Sequence, residues 1–286
     1  MSAPGAHPAA RSTPRAGLLV HALWLALFAA AFAPTLVWLV ERWTRSIWHN
    51  GHGLFIPFVL AWLVRRHFQQ QPLEEGARGS AWGFAFVLPG LALLALDAAV
   101  RTQLASAVGL VLCLPGLALL LVGGARTRAL AFPLGLAWFM LPIPAGFGAS
   151  LYLLLRRISA AGAAELLAWL GIPALRQDTS VLIPIGPVEV SDACSGFSTL
   201  YAALAIALVL AHTSTAPRRR LLLLAAAPLL AVGSNIARVA LLLALAQHNG
   251  FQVLSTRAHE LSGVATFAAC LAGLFLIAGR ARAAEP

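Results

Sequence analysis

The chain has 286 residues, of which 60% are hydrophobic and 10% charged, and its mean hydropathy is +0.83. A soluble domain of this size needs far more polar surface, so the bilayer is the solvent this sequence is built for. The formal net charge is +10 and every basic residue except histidine is arginine, which excludes a Walker A nucleotide site, a Schiff-base lysine and a Ser–Lys peptidase dyad.

Residues 1–16, rich in Ala, Pro and Ser with Arg11 and Arg15, read as a disordered tail. The apolar run at 17–40 is long enough to span and lacks a small-residue cleavage site, so it is expected to stay as a transmembrane helix. A loop over 41–52 carries Arg42, Arg45, His49 and His52, and a shorter run over 53–64 stops at Arg65 and Arg66. Runs at 81–97 and 103–123 flank Asp97 and Arg101, and the second ends at Arg126 and Arg128. Another starts near Leu130 and reaches the Pro142–Pro144 break. The last three lie at 193–211, 221–245 and 261–278, bounded by Arg218 to Arg220 and by Arg280 and Arg282. The expected fold class is an all-α polytopic membrane protein of about eight transmembrane helices, one domain over 17–279 with a tail at 280–286.

Arginine placement sets the expected orientation. With the N-terminus inside, twelve arginines fall in cytoplasmic segments, seven fall outside, and Arg238 lies within a span. This bias places both termini in the cytoplasm. It also accounts for the basicity through loops flanking helices, so no nucleic-acid partner is implied.

Residues 145–191 interrupt the pattern as a long outer segment. Arg156, Arg157 and Glu165 make Leu151 to Leu170 expensive as a span and acceptable as an interfacial amphipathic helix; the rival reading as a span would disturb the parity set by the flanking arginines. Ser180 to Val190, with β-branched residues around Pro184, Gly186 and Pro187, reads as a small extended hairpin.

An ionisable residue inside a span is a functional candidate by default. Arg238 lies roughly 26 Å along its helix from Leu221, close to the outer boundary of a core about 30 Å thick. Asn235, three residues earlier, shares its face. Cys194, in Asp192-Ala193-Cys194-Ser195-Gly196, opens another span at the same boundary. A place in the first helical turn would favour its thiolate, while Asp192 would oppose it. Gly196 would let another chain approach closely. His259, in Arg257-Ala258-His259-Glu260-Leu261-Ser262-Gly263, opens the last span on that side. A thiol, an imidazole and a guanidinium at one depth form an acyl-transfer set: nucleophile, general acid/base and carbonyl partner.

The remaining candidates are weaker. Cys113 and Cys270 fall mid-span among apolar neighbours and read as packing residues. Ser195 is a poorer nucleophile than the adjacent thiol and has no lysine base. Ser195 and His52 are retained as substrate-contact candidates. His49, His52, His248 and His259 lack the spacing of a metal site, and three widely separated cysteines form neither a zinc site nor a disulfide framework. No metal or cofactor is expected.

On these residues the chain resembles the exosortase/archaeosortase family of membrane transpeptidase-like proteins. The strongest matches are Ala193-Cys194-Ser195-Gly196, Asn235-x-x-Arg238 and His259-x-x-x-Gly263, in that order along the final three spans. Weaker matches are His52-Gly53-Leu54 leading to Ile56-Pro57, the Phe139 to Pro144 stretch, and Leu170-Gly171-Ile172-Pro173. The resemblance implies a catalytic triad of Cys194, Arg238 and His259, supported by Asn235. It also implies location in a bacterial inner membrane with the active site facing the periplasm. The implied substrates are exported proteins ending in a sorting signal: a short motif (often Pro-Glu-Pro), a membrane helix and an Arg-rich tail. The implied acceptor is an amine or polysaccharide-linked group, in systems tied to exopolysaccharide production. Glu260 stands where Asp is more usual, which keeps the charge. Two other readings stay open: a cysteine protease with water as acceptor, and a non-enzymatic transporter or scaffold of an envelope polysaccharide system. In the second of these Arg238 holds an anion and Cys194 only packs.

Overall fold

The computed structural model describes residues 23, 26–45, 51–71, 79–142 and 145–283, and the segments named below belong to these. Their helices are α1 (Ala33–Arg45), α2 (Ile56–Gln70), α3 (Phe84–Val100), α4 (Leu104–Ala129), α5 (Ala131–Leu136), α6 (Ala145–Trp169), α7 (Phe197–Thr213), α8 (Pro217–Asn249) and α9 (Arg257–Ala283). Between α6 and α7 lies an antiparallel three-stranded sheet of β1 (Leu175–Gln177), β2 (Ser180–Ile183) and β3 (Gly186–Glu189), in that order. The expected tail over 1–16, and residues 17–22, 24 and 25 of the expected run over 17–40, lie outside the described residues.

Four helical segments are long and apolar enough to cross a membrane: Ala81–Val100, Leu104–Ala129, Pro217–Asn249 and Arg257–Gly279. The count of eight spans is not reached among the described residues, for reasons of length. α2 and α7, with 15 and 17 residues, rise about 22–26 Å against a hydrocarbon core of about 30 Å. The run from Leu130 breaks into α5 and a 3₁₀ turn, Ala137–Met140, with extended backbone at Leu141. α9 continues through Ala283, so part of the expected tail is helical.

Helix packing uses small residues, as it must where lipid tails compete with side chains for apolar contact. α3 and α4 meet along Gly90 and Gly109: a methyl group on Gly90 would lie 2.3 Å from the Cys113 sulfur and 2.7 Å from the Gly109 carbonyl. The turn joining them is tied by Asp97, whose carboxylate accepts from the backbone and hydroxyl of both Thr102 and Ser106. Ala203 and Ala207 of α7 pack with Ala227 and Ala231 of α8 and with Cys270 and Leu274 of α9.

α8 is the axis of the C-terminal half. Its 33 residues extend about 50 Å, more than a bilayer core requires. The first half packs against α7 and α9. The second half carries Val239, Ala240, Leu243 and Ala246 into a separate cluster with Ala160, Ala163 and Leu167 of α6 and Val181 and Ile183 of β2. α6 begins before the expected Leu151 and lies along α8, with Gly162 leaving room for Ile236. Its arginines face the sheet. Arg157 pairs with Asp178 at 2.7 Å, and Arg156 joins several partners described below.

The expected hairpin is a three-stranded meander. Ser180 pairs with Glu189 and Ile183 with Gly186 across the expected turn, and β1 adds on the other side through Leu175–Leu182. β1 has an exposed Leu-Arg-Gln pattern with no apolar alternation, so its strand state comes from pairing with β2 rather than from its own periodicity.

Candidate active site

Cys194 ends a 3₁₀ turn, Asp192–Cys194, ahead of α7. It therefore precedes the first turn of that helix rather than lying in it, which removes the helix-turn argument made from sequence. Gly196 follows with φ +79°, the left-handed region that side chains rarely adopt. A methyl group there would fall 2.5 Å from Cγ of Asn235, so the expected close approach at Gly196 is made by that residue.

Asn235 is 3% exposed. Its Nδ2 donates to the Cys194 carbonyl at 2.9 Å and to the Ser159 hydroxyl at 2.8 Å. One buried amide thereby links α6, α8 and the backbone of Cys194. From the sequence, Asn235 shares a helical face with Arg238. Here its hydrogen bonds go to Cys194 and Ser159 instead.

Arg238, one helical turn further along α8, reaches α9. Its Nε donates to the Ser262 hydroxyl at 3.2 Å, and Nη2 donates to the His259 carbonyl at 3.3 Å. Ser262 in turn donates to that carbonyl at 2.7 Å. Gly263 leaves room for the guanidinium, since a methyl group there would stand 3.3 Å from Nη2. The spacing His259-x-x-x-Gly263 thus has a packing reason: one turn of helix presents an imidazole, a hydroxyl and a gap to a single arginine.

The imidazole lies between the other two groups. His259 Nε2 is 3.5 Å from Cys194 Sγ and 3.3 Å from Arg238 Nη2. A guanidinium has donors only, so its contact requires Nε2 to present a lone pair, with the neutral ring's proton on Nδ1. Nδ1 is buried and has no hydrogen-bond partner among the described residues.

The approach to Cys194 is braced from α6. Arg156, 16% exposed, donates to the Val190 carbonyl, to Asp192 and to Thr179, and forms a close ion pair with Glu189. It ties β3 and the 3₁₀ turn to one helix. Sequence reasoning used this residue as an argument against a span and in the orientation count; a charge in an apolar helix with Ser159 one turn on was the available signal for a bracing role. Aromatic rings line the same end: Tyr152 lies 4.7 Å from Phe197, and Tyr201 lies 4.8 Å from Phe139.

The remaining candidates are placed differently. Ser195 is 2% exposed and its hydroxyl accepts the N–H of Phe197, the first residue of α7. His52 lies on the 3₁₀ turn Gly51–Leu54, while its side chain, like all of His49, is outside the described residues. His248 is at the exposed end of α8. Among the described residues no group of three His, Cys, Asp or Glu gathers as a metal site. Cys113 and Cys270 are buried at 0% and 1% exposure, away from the cluster.

A family model described as transmembrane exosortase matches residues 43–276. The chain belongs to the transmembrane exosortase family. The match runs from the end of α1 into α9 and so includes Cys194, Asn235, Arg238 and His259. No curated protein and no solved structure gives a significant match. This exosortase is a membrane protein, and sorting transpeptidase activity is consistent with its family.

Proposed function

We propose that this exosortase is a cysteine protease and transpeptidase acting on C-terminal sorting signals of exported proteins, a Pro-Glu-Pro-type motif followed by a helix and an Arg-rich tail. It works at the outer face of a bacterial inner membrane, with both termini cytoplasmic. The observation that carries the proposal is the convergence of Cys194 Sγ and Arg238 Nη2 on one nitrogen of His259, at 3.5 and 3.3 Å.

The substrate helix enters from lipid and brings its motif to Cys194. His259 Nε2 takes the thiol proton and the thiolate attacks the scissile carbonyl carbon, forming a C–S bond. The same lone pair cannot hold both the proton and the arginine hydrogen bond, so protonation releases Nη2 from Nε2. The freed donor is then available to the oxyanion that forms at that moment. As the tetrahedral intermediate collapses, the C–N bond breaks and His259 gives its proton to the leaving amine. A thioester remains on Cys194. An acceptor amine, including one linked to surface polysaccharide, or water then attacks it; His259 takes the acceptor's proton and the C–S bond breaks. Asn235 positions Cys194 through its carbonyl, and the segment 145–191 covers the site.

Co-expression of a tagged substrate tests this reading. Processing is expected to vanish in Cys194→Ala and in His259→Ala. Retained processing in Cys194→Ala would sink the thiol mechanism, and no processing even by the wild-type chain would return the transporter or scaffold reading. Hydroxylamine release of a trapped thioester, with and without an added amine, separates transfer from hydrolysis.

A further inference from the structure

The far end of the bundle from Cys194 holds a second polar site. α7 starts with Phe197 beside the cysteine and ends at His212 and Thr213, about 25 Å away along its axis. There the end of α2, the junction of α4 with α5 and the end of α7 line a half-open cavity of about 240 Å³. Arg66, His67, Gln70, His212 and Thr213 line it, and among the described residues its lining contains no carboxylate.

Its polar groups are held ready for a ligand. The His212 ring stacks flat on Phe132, with centroids 3.8 Å apart and planes 3° from parallel. His67 Nε2 is buried and has no hydrogen-bond partner among the described residues, a state that buried polar atoms rarely keep without a ligand or water. The guanidinium of Arg66 lies 5.5 Å from the Trp62 ring on its own helix. The carbonyl-rich end of α7 does not oppose an anion unaided, because Arg220 donates to the Ser214 carbonyl through Nε and Nη2 at 3.0 and 2.8 Å.

We infer that this cavity binds a phosphate-bearing anion, supplied as the headgroup of an acidic phospholipid. Arginine and imidazole donors, with no facing carboxylate among the described residues, match phosphate oxygens. The position at the ends of membrane helices is where basic pockets take acidic headgroups. The exposed Trp62 and Phe58 lie one and two turns before Arg66 on α2 and offer the acyl chains an apolar track. A free phosphate has no use for that track. The site is independent of the Cys194 chemistry.

The test is native mass spectrometry of the full chain in detergent, offered phosphatidylglycerol, phosphatidylcholine or inorganic phosphate. Phosphatidylglycerol is expected to be retained over phosphatidylcholine. Arg66→Gln should lower that retention roughly tenfold, the effect of losing one charge-assisted hydrogen bond. Gln70→Glu changes an exposed residue, leaves the fold intact and should also weaken retention. Arg101→Gln, at the opposite end of α4, should not. Displacement by inorganic phosphate without a lipid preference would show an anion site filled from solution and overturn the lipid assignment. Equal retention of both lipids without a phosphate effect, or retention unchanged in Arg66→Gln and Gln70→Glu, overturns the inference. The readout does not involve sorting-signal processing, so either proposal can fail while the other stands.

Discussion

Gly196 and Asn235 occupy one space: the left-handed glycine turns the chain away just where the asparagine passes beneath the Cys194 carbonyl. Gly196→Ala meets two obstacles, its φ of +79° and a Cβ 2.5 Å from Cγ of Asn235. The backbone strain alone is about 1–3 kcal/mol. We expect processing to fall by more than tenfold and the unfolding temperature in detergent to drop. A variant that keeps full processing would mean the turn is not needed to place the thiol.

Asn235→Ala leaves the Cys194 carbonyl and the Ser159 hydroxyl without their shared donor, a loss of about 1–3 kcal/mol for buried groups. Ser159→Ala removes only one of those partners and should lose about 1 kcal/mol. The pair is best compared by the rate of Cys194 alkylation alongside thermal unfolding. If Asn235 acted on stability alone, both variants would shift unfolding and neither would change the alkylation rate.

Arg238→Lys keeps the charge but loses the fork that spans Ser262 and His259. Turnover is expected to fall at least a hundredfold, the scale of removing one oxyanion donor, with expression near wild type. Gly263→Leu should reproduce the defect by filling the room beside Nη2. Wild-type turnover in Gly263→Leu would show that the guanidinium does not need its observed position.

Arg156→Gln strips the ion pairs to Glu189 and Asp192. Because both carboxylates are substantially exposed, the stability loss should be modest, about 1–2 kcal/mol. Limited proteolysis is the sharper measurement: cleavage between residues 171 and 192 should quicken while the helices stay resistant. Unchanged proteolysis would remove Arg156 as the brace.

Thiol labelling tests the orientation. An impermeant maleimide applied to intact spheroplasts should modify Cys194, 9% exposed, slowly and spare Cys113 and Cys270, which are 0% and 1% exposed. Labelling of Cys194 only after the cytoplasmic face is opened would reverse the topology.

Membrane class and four of the spans follow from the sequence because apolar runs of that length have no other stable solvent. The candidate residues were legible for a related reason. A charge, an imidazole and a thiol near the ends of apolar helices are exceptions, and the helical rise converts their positions into a common depth. The depth argument placed Cys194, Arg238 and His259 at one level but carried no information about azimuth. Tertiary packing decided the rest: Asn235 turns to Cys194 rather than to its neighbour Arg238, because α6 and the 3₁₀ turn meet α8 on that side. Packing likewise recruited Ser159, Ser262 and Arg156, and built β1 from a segment without strand periodicity. Those contacts depend on how helices rotate against one another, and that is settled by small residues far apart in the chain, such as Gly162 against Ile236.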